Sequence, residues 1–304
     1  MMVAAVRAVA VFVLSASAMR ADLLVAEGPE IERYSSTGTD LGTFGTTTTN
    51  AFGMTMDASG NLYVSSASGH DIYEFTPGGT RSVFATTANG TNVDPFGLAF
   101  ESNGDLLAAD RVQDNIDVYS STGVWQEELT SGYTLKSPDY LAVDSSGDVF
   151  VSNGNNAEVD EFSPQGVFIQ KITQDLETAY GIHFDAQGNL WVMDEFGGVV
   201  REYSITGSTY TEIGSRPLSI DGTDFAFDSN GDLYDVGFAS SGELQSGSGG
   251  KPTDIATLAY TLPESLLDTT VASPAPEPGT LYLAGLGLLA AGVILRLQKN
   301  PMAI

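Results

Sequence analysis

Glu27, Ser66, Asp110, Asn153, Asp194 and Gly237 recur at nearly even intervals, each closing a short apolar run: LLVAE, LYVSS, LLAAD, VFVSN, LWVMD and LYDVG. Four of these six positions, Glu27, Asp110, Asn153 and Asp194, carry a hard oxygen donor. Brought together around one axis, they form the kind of ring that holds Ca²⁺, an ion that takes six to eight oxygens. Phe52, Phe96, Asp139 and Tyr180 stand at the entry of the preceding apolar run and belong to the same end of each unit. They are the candidate mouth and ligand residues. His183 alternates with Ile182 and Phe184 and is the candidate base, facing a central channel. The plainer use of the same side chains is structural, because Asp and Asn at strand ends cap their own loops.

Several chemistries are excluded by composition. The chain of 304 residues has no cysteine, which removes disulfides, zinc–thiolate sites and thiol nucleophiles. Two histidines cannot build a three-histidine zinc site. No G-x-S-x-G elbow and no phosphate-binding glycine loop is present. The net charge is −27, and all of the acidic residues lie between Asp22 and Glu277. Such a surface repels nucleic acid and anionic lipid, whose binding needs clustered Lys and Arg. Cations are its natural small partners.

The elements that must position these residues are repeats. FGMTMDASGNLYVSS from Phe52, FGLAFESNGDLLAAD from Phe96, DYLAVDSSGDVFVSN from Asp139, YGIHFDAQGNLWVMD from Tyr180 and TDFAFDSNGDLYDVG from Thr223 share one pattern. Their turn glycines, Gly60, Gly104, Gly147, Gly188 and Gly231, lie 41 to 44 residues apart. A period of this length made of short strands is the signature of propeller blades. Each copy reads as a strand, a D-x-x-G turn and a second strand, followed by a third strand (DIYEF, NIDVY, EVDEF, VVREY) and a turn into a fourth. Leu23–Glu27 and IERYSSTG from Ile31 match the second and third strands of a sixth unit. In the last unit ATLAYTL from Ala256 is the expected third strand, and residues 265–272 are the expected closing segment. The fold class is therefore all-β, a six-bladed β-propeller of four-stranded blades.

The repeat P-x-G-[LI]-A-[FV]-D-x-x-G-[ND]-L-[YW]-V resembles that of NHL-repeat and related six-bladed propellers, with Pro95–Phe100 the closest copy and Glu101 standing where Asp is usual. This group includes gluconolactonase-like enzymes and streptogramin-type lyases. The resemblance covers about 23–262. It implies either a central divalent ion held by Glu, Asn and Asp oxygens, with Ca²⁺ as the cofactor, or a lyase for which His183 is the one candidate channel histidine. The motif-by-motif correspondence is missing, so no catalytic residue is carried over.

The two ends read as addresses. Residues 1–21 form a secretory signal peptide: Arg7, an apolar stretch from Ala8 to Leu14, then Ala16-Ser17-Ala18, with cleavage after Ala18. Residues 22–272 are the propeller. Residues 273–304 contain Pro276-Glu277-Pro278, an apolar helix over 279–296 long enough to span a bilayer, and the basic Arg296 and Lys299. This tripartite order resembles the PEP-CTERM sorting signal of bacterial exported proteins. It implies an exosortase-type sorting enzyme as partner, a transient membrane anchor and a final place at the cell surface or outside the cell. The expected function is binding or scaffolding there, with a glycan or protein ligand and no nucleic acid. The alternative is a divalent-metal-dependent lactonase or other hydrolase, or a lyase, working at the channel mouth.

Overall fold

A computed structural model describes residues 11–14, 22–86 and 94–218, apart from isolated positions, together with 222–227, 233–237, 243–247 and 253–257. The chain forms successive four-stranded antiparallel meanders. The first complete one comprises β5 (Met54–Met56), β6 (Leu62–Ser66), β7 (Asp71–Phe75) and β8 (Arg81–Thr86). The next comprises β9 (Pro95–Phe100), β10 (Leu106–Asp110), β11 (Asn115–Tyr119) and β12 (Trp125–Glu128). The third comprises β13 (Pro138–Val143), β14 (Val149–Asn153), β15 (Glu158–Phe162) and β16 (Phe168–Ile172). The fourth comprises β17 (Ile182–Phe184), β18 (Leu190–Asp194), β19 (Val199–Thr206) and β20 (Thr209–Pro217). The fifth comprises β21 (Gly222–Phe227), β22 (Leu233–Gly237), β23 (Glu243–Gly247) and β24 (Thr253–Thr257).

A further sheet precedes these, built from β1 (Val11–Leu14), β2 (Asp22–Glu27), β3 (Glu30–Ser35) and β4 (Asp40–Thr46). Its first strand comes from the stretch that sequence reading gives to the apolar core of a leader. β1 pairs with β2 in register from Val11↔Val25 to Leu14↔Asp22, and packs beside β21 and β5. Five complete blades thus lie between Met54 and Thr257, and the sixth sheet has four strands only with Val11–Leu14. Among the described residues, the strand that the six-blade expectation assigns to 265–272 is supplied by Val11–Leu14. The last repeat is corrected: Ala256 lies in the fourth strand, β24, and the third is β23. Residues 265–272, the 279–296 helix and Pro276-Glu277-Pro278 lie outside the described residues.

Burial follows strand position. The second strands β6, β10, β14 and β18 are buried along their whole length, as expected for strands covered on both faces. The fourth strands are the most exposed, and in β16 and β20 exposed and more buried residues alternate. The first strands succeed one another around an axis, β5 beside β9, β9 beside β13, β13 beside β17 and β17 beside β21. Apolar side chains fill the space between neighbouring blades. Leu98 meets Tyr63, Ile72 and Ala108 on one side, while Ala99 joins Leu141, Val149 and Val151 on the other.

The turns explain the repeat. Asp57 Oδ1 accepts the backbone N–H groups of Ser59 and Asn61, both at 2.8 Å, and Gly60 takes φ +84°. Asp144 and Asp185 do the same for Ser146 and Asp148, and for Gln187 and Asn189. Where Glu101 replaces Asp, Asn103 Oδ1 takes over and accepts from Asp105 N–H at 2.8 Å. These are turn caps, as the plain reading of D-x-x-G requires. The turns between third and fourth strands have a different task. Gly123 has φ +78°, and a Cβ there would stand 1.9 Å from the carbonyl oxygen of Phe84 in the preceding blade. Gly123→Ala combines left-handed strain with a backbone collision. It should cost at least about 2 kcal/mol, lowering Tm by roughly 5 °C or more in a thermal melt; an unchanged Tm would mean that this contact does not set blade spacing.

Candidate ligand site at the channel mouth

The loops between second and third strands and the connections between blades share one end of the propeller, because every blade is an up-and-down meander. Glu27, Asp110, Asn153, Asp194, Phe52, Phe96, Asp139 and Tyr180 lie at that end. Each of the four oxygen donors is engaged by local partners. Asp194 is fully buried; its Oδ1 accepts the N–H groups of Glu177, Thr178 and Gly197, and its Oδ2 accepts from Arg201 Nε at 2.9 Å. Asn153 Oδ1 accepts from Lys136 N–H, and its Nδ2 donates to Asp160 at 3.1 Å. Glu27 accepts from the Tyr34 hydroxyl at 2.7 Å, and burial raises its pKa. Asp110 Oδ1 accepts from Asp94, Val112 and Gln113 N–H groups, while its Oδ2 has no hydrogen-bond partner. Apart from Asp110 Oδ2, these hydrogen bonds stay within the unit or run to the connection entering it. Among the described residues no three His, Cys, Asp or Glu side chains form a group able to hold a metal.

The entry residues pack as a layer around the axis. Phe52 and Phe96 lie with ring centroids 4.2 Å apart. The Arg111 guanidinium sits 4.2 Å above the Phe96 ring, and its Nε is 2.8 Å from Asp139 Oδ1. Both partners of this ion pair are buried, with side-chain exposures of 6% and 2%. A Cβ on Gly154 would strike Asp139 Oδ2, so the carboxylate needs that glycine. Tyr180 is buried beside the pair, within electrostatic reach of Asp139 and Glu195. Phe52, Asp139 and Tyr180 are therefore wall, and Phe96 is the half-buried member that reaches the mouth.

Nearer the axis, His183 Nε2 lies 3.0 Å from Asp224 Oδ1 on the next blade, and its ring meets Phe225 edge-on at 4.9 Å. The His183 side chain is 37% exposed, whereas Asp224 is 5% exposed. Tyr140 interacts electrostatically with Asp224 and Asp139, and burial raises its hydroxyl well above the ordinary tyrosine value. A carboxylate that orients a partly exposed imidazole is an arrangement fit for proton transfer.

Three participants, Arg111, Asp224 and Tyr140, were missed by sequence reasoning. A signal existed for two of them. Gly53, Gly97 and Gly181 occupy the second position of their repeats, and Tyr140 and Asp224 stand there in the other two. Gly53 and Gly97 let adjacent first strands touch, a Cβ on Gly97 lying 2.5 Å from Tyr140 Cα. Arg111 gave no signal beyond being basic in an acidic chain.

These features can be set beside known proteins. Residues 274–299 match the PEP-CTERM protein-sorting motif. The motif implies an exported protein that an exosortase recognises. A search of curated proteins finds no match. Among solved structures, virginiamycin B lyase from Staphylococcus aureus is similar at TM-score 0.60 and 15% identity, over 80% of this chain and 82% of that one. A gluconolactonase from Xanthomonas campestris is similar at TM-score 0.55 and 17% identity, over 67% and 74%. A catalytically inactive histidine-to-alanine form of the lyase with Quinupristin gives TM-score 0.61 at 13% identity, over 84% and 87%. These identities establish the propeller fold and no activity.

Burial pushes Asp139 up to about 6, with Arg111 and the Gly154 N–H pulling the other way. A carboxyl whose folded pKa exceeds its unfolded value contributes most to stability below about pH 4. That contribution is lost as the pH rises through about 6. Removing Arg111 leaves Asp139 buried without its counter-ion. Arg111→Leu should therefore cost about 3–5 kcal/mol at pH 8 and recover much of that at pH 5, where Asp139 is protonated. Urea denaturation at the two pH values measures this; equal losses at both would show that Arg111 acts through packing alone.

Proposed function

We propose that this chain is an exported propeller that binds a glycan or protein ligand at its channel mouth, at the cell surface or in the extracellular matrix. The observation that carries this reading is the commitment of Glu27, Asn153 and Asp194 to their own loops and neighbours. A channel-centred ion needs those oxygens free, so binding is favoured over metal-assisted hydrolysis. The half-buried Phe96, Tyr140 and His183 are the groups left to meet a ligand. In this reading residues 1–21 are a leader cleaved after Ala18, and residues 265–272 supply the strand that replaces β1 in the processed six-bladed ring. The 279–296 helix is a transient anchor, released when the sorting enzyme acts at Pro276-Glu277-Pro278. Purified full-length protein on a glycan array should retain at least one glycan class. Phe96→Ala should weaken that retention roughly tenfold, about 1.4 kcal/mol, while the exposed Val167→Ser should not. Equal binding by both variants would move the ligand away from the mouth.

A second reading rests on the His183–Asp224 pair. With the imidazole oriented from the next blade, His183 acts as general acid–base on a lactone or ester in the channel, in a hydrolase or lyase without a channel metal. If so, turnover of such substrates should fall at least about 100-fold in His183→Gln. A variant as active as the native chain removes this reading.

A further inference from the structure

The corner where second and third strands meet is built alike in successive blades, and one corner is electrically incomplete. In β14–β15 the register pairs Asn153 with Glu158 and Val151 with Asp160, and the diagonal pair Asn153–Asp160 is hydrogen-bonded at 3.1 Å. In β18–β19 the register pairs Asp194 with Val199 and Val192 with Arg201, and the diagonal pair Asp194–Arg201 is an ion pair at 2.9 Å. In β10–β11 the same register pairs Asp110 with Asn115 and Ala108 with Asp117. Asp110, Asn115 and Asp117 therefore share one face of the hairpin, and the diagonal pair is two carboxylates.

All three are buried, at 1%, 7% and 2% exposure. Asp110 Oδ2 and Asn115 Oδ1 have no hydrogen-bond partner. Asp117 Oδ1 accepts from Trp125 Nε1 at 2.9 Å. Acids crowd both carboxylates: Asp114 raises Asp110, and Asp110 and Glu128 raise Asp117. Two buried carboxylates set diagonally on one hairpin face, each raising the other's cost, is an expensive arrangement unless something neutralises them.

We propose that the β10–β11 corner is a site for a hard divalent cation of calcium size, held by Asp110 Oδ2, Asn115 Oδ1 and the Asp117 carboxylate. Two carboxylates balance a charge of +2, and every offered donor is oxygen, the set preferred by Ca²⁺. The ion does for this blade what Arg201 does for the β18–β19 corner. It lies within one blade rather than on the channel axis, so it is independent of the ligand reading above and of its test.

The test uses the purified full-length protein stripped with EDTA and titrated with Ca²⁺ and, separately, Tb³⁺. Saturable binding of a single ion per chain is expected, with Tm rising as Ca²⁺ is added. Trp125 lies against the site, so Tb³⁺ emission should be sensitised by tryptophan, lost in Trp125→Phe and kept in Trp191→Phe. Asp117→Asn, close to isosteric, should weaken Ca²⁺ roughly tenfold or more. If that variant does not fold by circular dichroism, Asn115→Ala serves in its place with the same expectation. No saturable binding by the native chain overturns the proposal. So does unchanged affinity in a folded Asp117→Asn, which would put the ion elsewhere. A metal-insensitive native chain in which Asp117→Asn raises Tm overturns it too, because a shared proton then bridges the carboxylates.

Discussion

The structure depends on backbone-to-backbone contact between neighbouring blades. Gly53 rests against the Phe96 carbonyl, and Gly97 against the Asp139 carbonyl and Tyr140 Cα. At the outer edge Gly79, Gly123 and Gly166 rest against Phe44, Phe84 and Leu129 of the blade before. These contacts set the distance at which apolar side chains from facing sheets interdigitate. A twisted sheet buried on both faces needs such a fixed spacing, because a gap too small for water forfeits dispersion contact on both sides. The fully buried second strands and the exposed fourth strands follow from it.

Electrostatics shape what the spacing leaves open. A chain with net charge −27 that buries carboxylates at several second–third corners must answer for each one. It uses a guanidinium at Asp194, an amide at Asn153–Asp160 and a phenol at Glu27. At the mouth Arg111 serves Asp139 and stacks on Phe96 in the same stroke. The oxygens that would make a channel-centred metal ring are thereby spent on holding loops. Left partly exposed are the His183 imidazole, held by the buried Asp224 carboxylate, and the Phe96 ring. Likeness to a lyase and a lactonase at 15% and 17% identity fixes the scaffold on which these groups stand. The sorting motif at 274–299 places the scaffold among exported proteins.

Much of this was legible without coordinates. The repeat of D-x-x-G turns 41 to 44 residues apart declares four-stranded blades, since Asp caps the turn and Gly takes the left-handed position. The Pro-Glu-Pro segment, the apolar run and the basic end declare the sorting signal. The positions of Glu27, Asp110, Asn153 and Asp194 at strand ends were also read correctly. The loop-capping use open to Asp and Asn there was legible too, but not each side chain's particular partner, which lies at a sequence distance that no local pattern encodes. Arg201 is in the same hairpin as Asp194, but Asp224 reaches His183 from the next blade.

Periodicity by itself determined the blade, its turns and the end of each blade where chemistry collects, because these are local consequences of strand alternation and turn geometry. Only the tertiary structure decided which carboxylates meet which cations, that Val11–Leu14 completes the first sheet, and that Gly53 and Gly97 lie against the backbone of the next first strand. Those outcomes depend on how closely successive blades pack, and packing distance is a property of the closed ring, not of any one repeat.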